Sequence, residues 1–82
     1  MTITWKPIKD RILEGDSTAG RVWIKLGKDG LIVSMYILCG RLKEKFFPED
    51  EVELELEFMQ FRAEVELEKM AECQKLLAKL GV

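Results

Sequence analysis

The pattern of hydrophobic and polar positions changes period once along the chain, dividing it into a β-rich front and a helical end. Arg21 to Leu26 (RVWIKL) alternates Val22, Ile24 and Leu26 with Arg21, Trp23 and Lys25, the period-2 mark of a half-buried strand. Gly27-Lys28-Asp29-Gly30 follows, then the apolar run Leu31 to Leu38, so turn residues between two β-rich runs predict a hairpin. Pairing Gly27 with Gly30 sets Val22 opposite Met35, Ile24 opposite Val33 and Leu26 opposite Leu31. The same register leaves an outer cluster of Trp23, Ile32 and Tyr36. The second strand is apolar on both faces and asks for two covers. A helix supplies one, and barrel closure, a partner subunit or a ligand supplies the other.

Ile3 to Ile8 (ITWKPI) reads as a short strand that Pro7 confines to an edge or ends. Arg41 to Phe47 and Glu51 to Phe58 flank Pro48-Glu49-Asp50 and predict a second hairpin, with Lys45 against Glu53, Lys43 against Glu55 and Arg41 against Glu57. A helix from Glu49 onward is the alternative, because Val52, Leu56, Met59 and Ala63 also fall at helical spacing. From Met59 to Leu80 the apolar positions Met59, Ala63, Leu67, Met70, Cys73, Leu77 and Leu80 recur at gaps of three and four. That is an amphipathic helix, closed by Lys75, Lys79 and Gly81. At roughly 33 Å it outruns a strand of roughly 23 Å, so Leu67, Met70, Leu77 and Leu80 are expected to pack the sheet or a second subunit.

The expected fold is α+β: a small antiparallel sheet or partly closed barrel of four to five strands, followed by one C-terminal amphipathic helix. One domain spans 1–82, β-rich over 1–58 and helical over about 59–80. With 82 residues there is room for one small core, which predicts a homodimer as the extra stabilising device. The longest apolar stretch, Leu31 to Cys39, falls far short of the roughly 20 residues that span a bilayer. Met1 to Lys9 holds Trp5, Lys6 and Pro7 where a leader would be apolar, so a cytoplasmic location is expected. Cys39 and Cys73 are accordingly expected to be reduced and buried.

The residue inventory argues against catalysis. There is no histidine, hence no side chain of unperturbed neutral pKa and no usual general base. Two isolated cysteines do not make a zinc site, and no metal or cofactor is expected. Gly15 to Arg21 (GDSTAGR) has the outline of a phosphate loop, but Arg21 stands where Lys is needed and Val22 where a hydroxyl is needed. It reads instead as a polar loop between strands. No small-molecule substrate is evident.

Charge is segregated along the sequence. Residues 1–47 carry nine basic and five acidic side chains, net +4, and residues 48–82 carry four and ten, net −6, which together make the −2 of the chain. Arg21, Trp23 and Lys25, with Ile32 and Tyr36 nearby, form an aromatic platform flanked by cations, the arrangement on which single-stranded nucleic acid stacks its bases. Against this, the predicted second hairpin offsets Arg41, Lys43 and Lys45 with glutamates, and a pI near 5.2 opposes general phosphate affinity.

Two layouts are similar to known families. Gly30 to Leu54, ending in RLKEKFFPEDEVELEL, resembles in rhythm the AbrB-type swapped-hairpin regulators and antitoxins. It lacks their proline after the first strand and is about two residues too long. The strands-then-helix order resembles dimeric single-stranded DNA-binding coactivators as a layout. The expected function is therefore a non-enzymatic regulatory or inhibitory interaction module of prokaryotic or phage type, a homodimer binding a protein partner. Nucleic acid binding through the Trp23 face is the second reading.

Overall fold

Alternation becomes strands and the 3.6-residue period becomes a helix. The computed structural model, described for residues 2–81, has five strands: β1 (Thr4–Lys9), β2 (Ile12–Asp16), β3 (Arg21–Leu26), β4 (Ile32–Cys39) and β5 (Leu42–Phe46). They form one open antiparallel sheet whose spatial order follows chain order, so β1 and β5 are its edges. A single 3₁₀ turn (Val52–Leu54) leads to one helix, α1 (Leu56–Lys79). The fold is α+β, and the sheet stays open rather than closing into a barrel.

The core lies between one sheet face and α1. Val22 and Ile24 of β3, Met35, Ile37 and Cys39 of β4 and Phe46 of β5 meet Met59, Ala63, Leu67 and Met70 of α1, and the helix runs along β4. Ile24, Met35, Ile37, Met59, Leu67 and Val22 are fully buried, and each such side chain stabilises by about 1.5–3 kcal/mol relative to exposure. Leu67 and Met70 thus belong to the chain's own core, Leu77 is half-buried, and Leu80 is exposed.

The hairpin between β3 and β4 forms, but shifted by two residues. Val22 pairs with Ile37, Trp23 with Tyr36 and Ile24 with Met35. One extra residue enters at the turn, where Gly30 donates its N–H to the Gly27 carbonyl at 3.0 Å and then takes a φ of +82° that favours glycine. The other enters at a bulge where Lys25 pairs with Ser34 but Leu26 pairs with Ile32. An even shift preserves the faces beyond the bulge and exchanges them within it. Ile32, expected outside, is 4% exposed in the core, and Val33, expected inside, is 45% exposed.

β2 is an element the hydrophobic pattern does not announce. It pairs with both β1 and β3, placing Gly15 between Trp5 and Val22 on the inner face. β1 runs past Pro7 with a bulge at Ile8. As the edge strand it tolerates the missing proline N–H.

The second predicted hairpin does not form. Asp50 Oδ1 accepts the Glu53 N–H at 3.0 Å and opens the 3₁₀ turn; Glu55 is extended, and α1 begins at Leu56 rather than near Met59. Helix wins here because Leu56, Met59 and Ala63 extend the same buried stripe as Leu67 and Met70, and glutamate is a good helix former. Arg62 secures the turn by bonding Glu53, lying 3.8 Å from Glu49 and sitting 5.0 Å over the Phe46 ring. The expected pairs of Arg41, Lys43 and Lys45 with Glu57, Glu55 and Glu53 are therefore absent, and β5 keeps an open edge.

Candidate functional site

The sheet face turned away from α1 has no covering element among the described residues, and the strand register arranges it in rows. The central row crosses all five strands: Lys6, Glu14, Trp23, Tyr36 and Lys45 are successive cross-strand partners. A parallel row holds Thr4, Asp16, Arg21, Leu38 and Lys43. Side chains at directly paired positions lie about 4.5–5.5 Å apart at Cβ, so each row is a continuous surface.

At the centre, the Trp23 and Tyr36 rings are 5.8 Å apart between centroids and tilted by 42°, and both are half-buried. Trp23 Nε1 donates to Glu14 Oε2 at 3.0 Å, which satisfies the indole while leaving its ring surface available. Lys45, opposite Tyr36, lies 5.5 Å from the ring centroid of Phe47, which is 58% exposed. The aromatic strip Trp23, Tyr36 and Phe47 is thus capped by a cation at its β5 end.

The electrostatics are one-sided. The two rows and Lys25 present five cations (Lys6, Arg21, Lys25, Lys43 and Lys45) against two carboxylates, Glu14 and Asp16. Both carboxylates are engaged, Glu14 with Trp23 and Asp16 with Arg21 at 3.5 Å. The acidic residues of the second half of the chain sit on the 3₁₀ turn, on the residues that flank it and on α1, where Glu53 turns toward Arg62 and Glu66 and Glu72 lie beside Lys69 and Lys75. Charge segregation in sequence therefore becomes charge segregation in space.

Of the residues expected to form the platform, Arg21, Trp23, Lys25 and Tyr36 share this face. Ile32 does not, because the bulge turns it into the core. Sequence reasoning missed Lys6, Glu14, Lys43, Lys45 and Phe47. The signals for Lys6 and Glu14 were the strand character of Ile12 to Asp16 and the turn potential of Ser17 to Gly20, which would have placed β1 and β2 beside β3; Lys43, Lys45 and Phe47 were assigned instead to a hairpin with Glu51 to Phe58 that does not form. Ser17 closes that turn, its Oγ accepting the N–H groups of Ala19 and Gly20 at 3.2 Å each.

Among the described residues no group of three or more metal-ligating side chains converges, and no helix is long and apolar enough to cross a membrane. No family model, no curated protein and no solved structure matches this chain, so its function is read from its own geometry.

Proposed function

We propose that the protein is a non-catalytic module that binds single-stranded nucleic acid on the open face of its sheet. The observation that carries this reading is the five-strand row Lys6–Glu14–Trp23–Tyr36–Lys45, an aromatic pair with a lysine at each end. Bases stack on Trp23 and Tyr36, while Lys6, Arg21, Lys25, Lys43 and Lys45 track the phosphates. Stacking contributes about 1–3 kcal/mol per base and tolerates any sequence, because every base has a π face.

Of the two grounds that favour a protein partner, glutamates offsetting the basic strand and a pI near 5.2, the first falls because that pairing does not form. An acidic pI does not oppose this reading, since the excess carboxylates belong to the 3₁₀ turn, the residues that flank it and α1 rather than to the cationic rows.

Titration of a fluorescently labelled oligothymidylate by anisotropy at two salt concentrations tests the proposal. Binding is expected at low salt, weakening steeply as salt rises. Trp23→Ala and Tyr36→Ala are each expected to weaken it by about 5- to 150-fold, the equivalent of one lost stack. Glu64→Gln on α1 is expected to leave it unchanged. Absence of binding at low salt would overturn the proposal.

A further inference from the structure

We propose that α1 docks antiparallel against α1 of a second copy of this chain, along a stripe turned away from the sheet. At 100° per residue, Phe61, Val65, Lys69, Glu72, Leu76 and Leu80 fall within an arc of about 100°, centred about 150° from the buried stripe of Met59, Ala63, Leu67 and Met70. Phe58, Arg62 and Lys79 share that arc, and its Arg62–Lys69 edge borders β5. Phe61, Leu76 and Leu80 are 61%, 59% and 75% exposed, unusual for large apolar side chains on one side of one helix. Phe58 adds a second ring, 6.4 Å from that of Phe61.

In an antiparallel pair facing residues have a constant sum of sequence numbers, and a sum of 141 pairs Phe61, Val65, Lys69, Glu72, Leu76 and Leu80 with one another. The same sum brings the partner's Lys79 toward Arg62, whose charge is already met by Glu53. Phe61 meets the partner's Leu80, Val65 meets the partner's Leu76, and Lys69 meets the partner's Glu72. The two-fold axis repeats each pair, as an isologous interface requires. A parallel in-register pair would instead set Lys69 against the partner's Lys69 and Glu72 against the partner's Glu72. The intrachain partners of Lys69 and Glu72 are Glu66 at 3.5 Å and Lys75 at 3.7 Å, exposed pairs worth little and readily exchanged.

Helix length fits the same arrangement. The 24 residues of α1 span about 36 Å, against about 27 Å for the eight of β4. Gln74 lies against the β4–β5 turn at Gly40, so Leu76 and Leu80 extend past the sheet. The assembly has four layers, sheet–helix–helix–sheet, with both cationic faces outside. It does not depend on what those faces bind.

Sedimentation equilibrium over a wide concentration series tests this, with circular dichroism as the control for an intact helix. The wild-type chain is expected to reach twice its 9.5 kDa mass. Lys69→Glu sets like charges together at both ends of the pair and is expected to weaken association by about tenfold. Adding Glu72→Lys to it is expected to restore association, because the swapped charges again face their opposites. Leu76→Glu, at a solvent-exposed position, is expected to give a folded monomer. A wild-type chain that stays monomeric throughout, a dimer indifferent to Leu76→Glu, or a charge swap that fails to restore association would each overturn the proposal.

Discussion

Glu14 on β2 and Trp23 on β3 are directly paired across the sheet, and the carboxylate accepts the indole N–H at 3.0 Å. The bond holds the Trp23 ring beside Tyr36 and puts a negative charge into a row that otherwise ends in lysines. Orientation and repulsion of phosphate therefore come from the same side chain. Glu14→Gln keeps an acceptor for the indole and removes the charge. Affinity for the oligonucleotide is expected to rise several-fold at low salt, with the difference vanishing at high salt where exposed charges are screened. Parallel anisotropy titrations of the two proteins check this.

Gly15 lies beneath the edge strand, where an added Cβ would stand 2.6 Å from Ile3 Cγ2 and 2.7 Å from Trp5 Cζ3. Trp5 fills from the neighbouring strand the place of the missing side chain. Gly15→Val is expected to displace Trp5 and cost about 1–3 kcal/mol, as overpacking of a tight site does. In a domain of this size each kcal/mol lowers the melting temperature by about 4–8 °C. A thermal melt followed by far-UV circular dichroism reads the shift, and a red shift of tryptophan emission would accompany it.

Arg62 ties three segments together through Glu53, Glu49 and Phe46, and its side chain is 19% exposed while that of Glu53 is 13% exposed. Arg62→Met keeps the aliphatic packing but strands Glu53 in a poorly solvated place. The expected cost is about 1–3 kcal/mol, less than for a fully buried pair. The double variant Arg62→Met, Glu53→Gln is expected to recover part of it. Urea denaturation midpoints of the two variants and the parent protein decide the matter.

Cys39 is 2% exposed and burial pushes its thiol above the ordinary value, whereas Cys73, expected to be buried, is exposed on α1 because it lies off the stripe that meets the sheet. Iodoacetamide is expected to modify Cys73 first and Cys39 only as fast as the protein opens, which mass spectrometry of the labelled chain resolves. The folded state holds the Cys39 proton more tightly than the unfolded chain does. Its contribution to stability is thus complete below the ordinary thiol pKa of about 8.5 and is lost as pH rises through the folded value. Alkaline unfolding of Cys39→Ala is expected to depend less on pH than that of the parent.

Much of the architecture was legible in local pattern. The alternation of Arg21 to Leu26, the glycine turn after it and the three-four spacing from Met59 specify two central strands and a helix, because each buries one face whatever its neighbours are. Gly81, with a φ of +72° just past α1, also ends the helix where the sequence placed the stop. β2 escaped because its inner face is Leu13 and Gly15, and an alternation whose apolar member is glycine does not register as one. Its burial is supplied by Trp5, a residue ten positions away in sequence and directly paired in space.

The sequence by itself determined the α+β class, the inward set of Val22, Ile24 and Met35, and the shared outer face of Arg21, Trp23, Lys25 and Tyr36. Tertiary structure alone decided the fate of Glu51 to Phe58, whose alternation of acid and hydrophobe suits a strand edge and a helix equally. Packing of Leu56, Met59 and Ala63 onto the sheet favoured the helix. It also decided the register of β3 on β4, because a bulge adds a residue through backbone geometry that no side-chain pattern encodes. Those two outcomes took Ile32 off the platform, left the β5 lysines without their expected glutamate partners, and made the charge division of the sequence a division between two faces of the molecule.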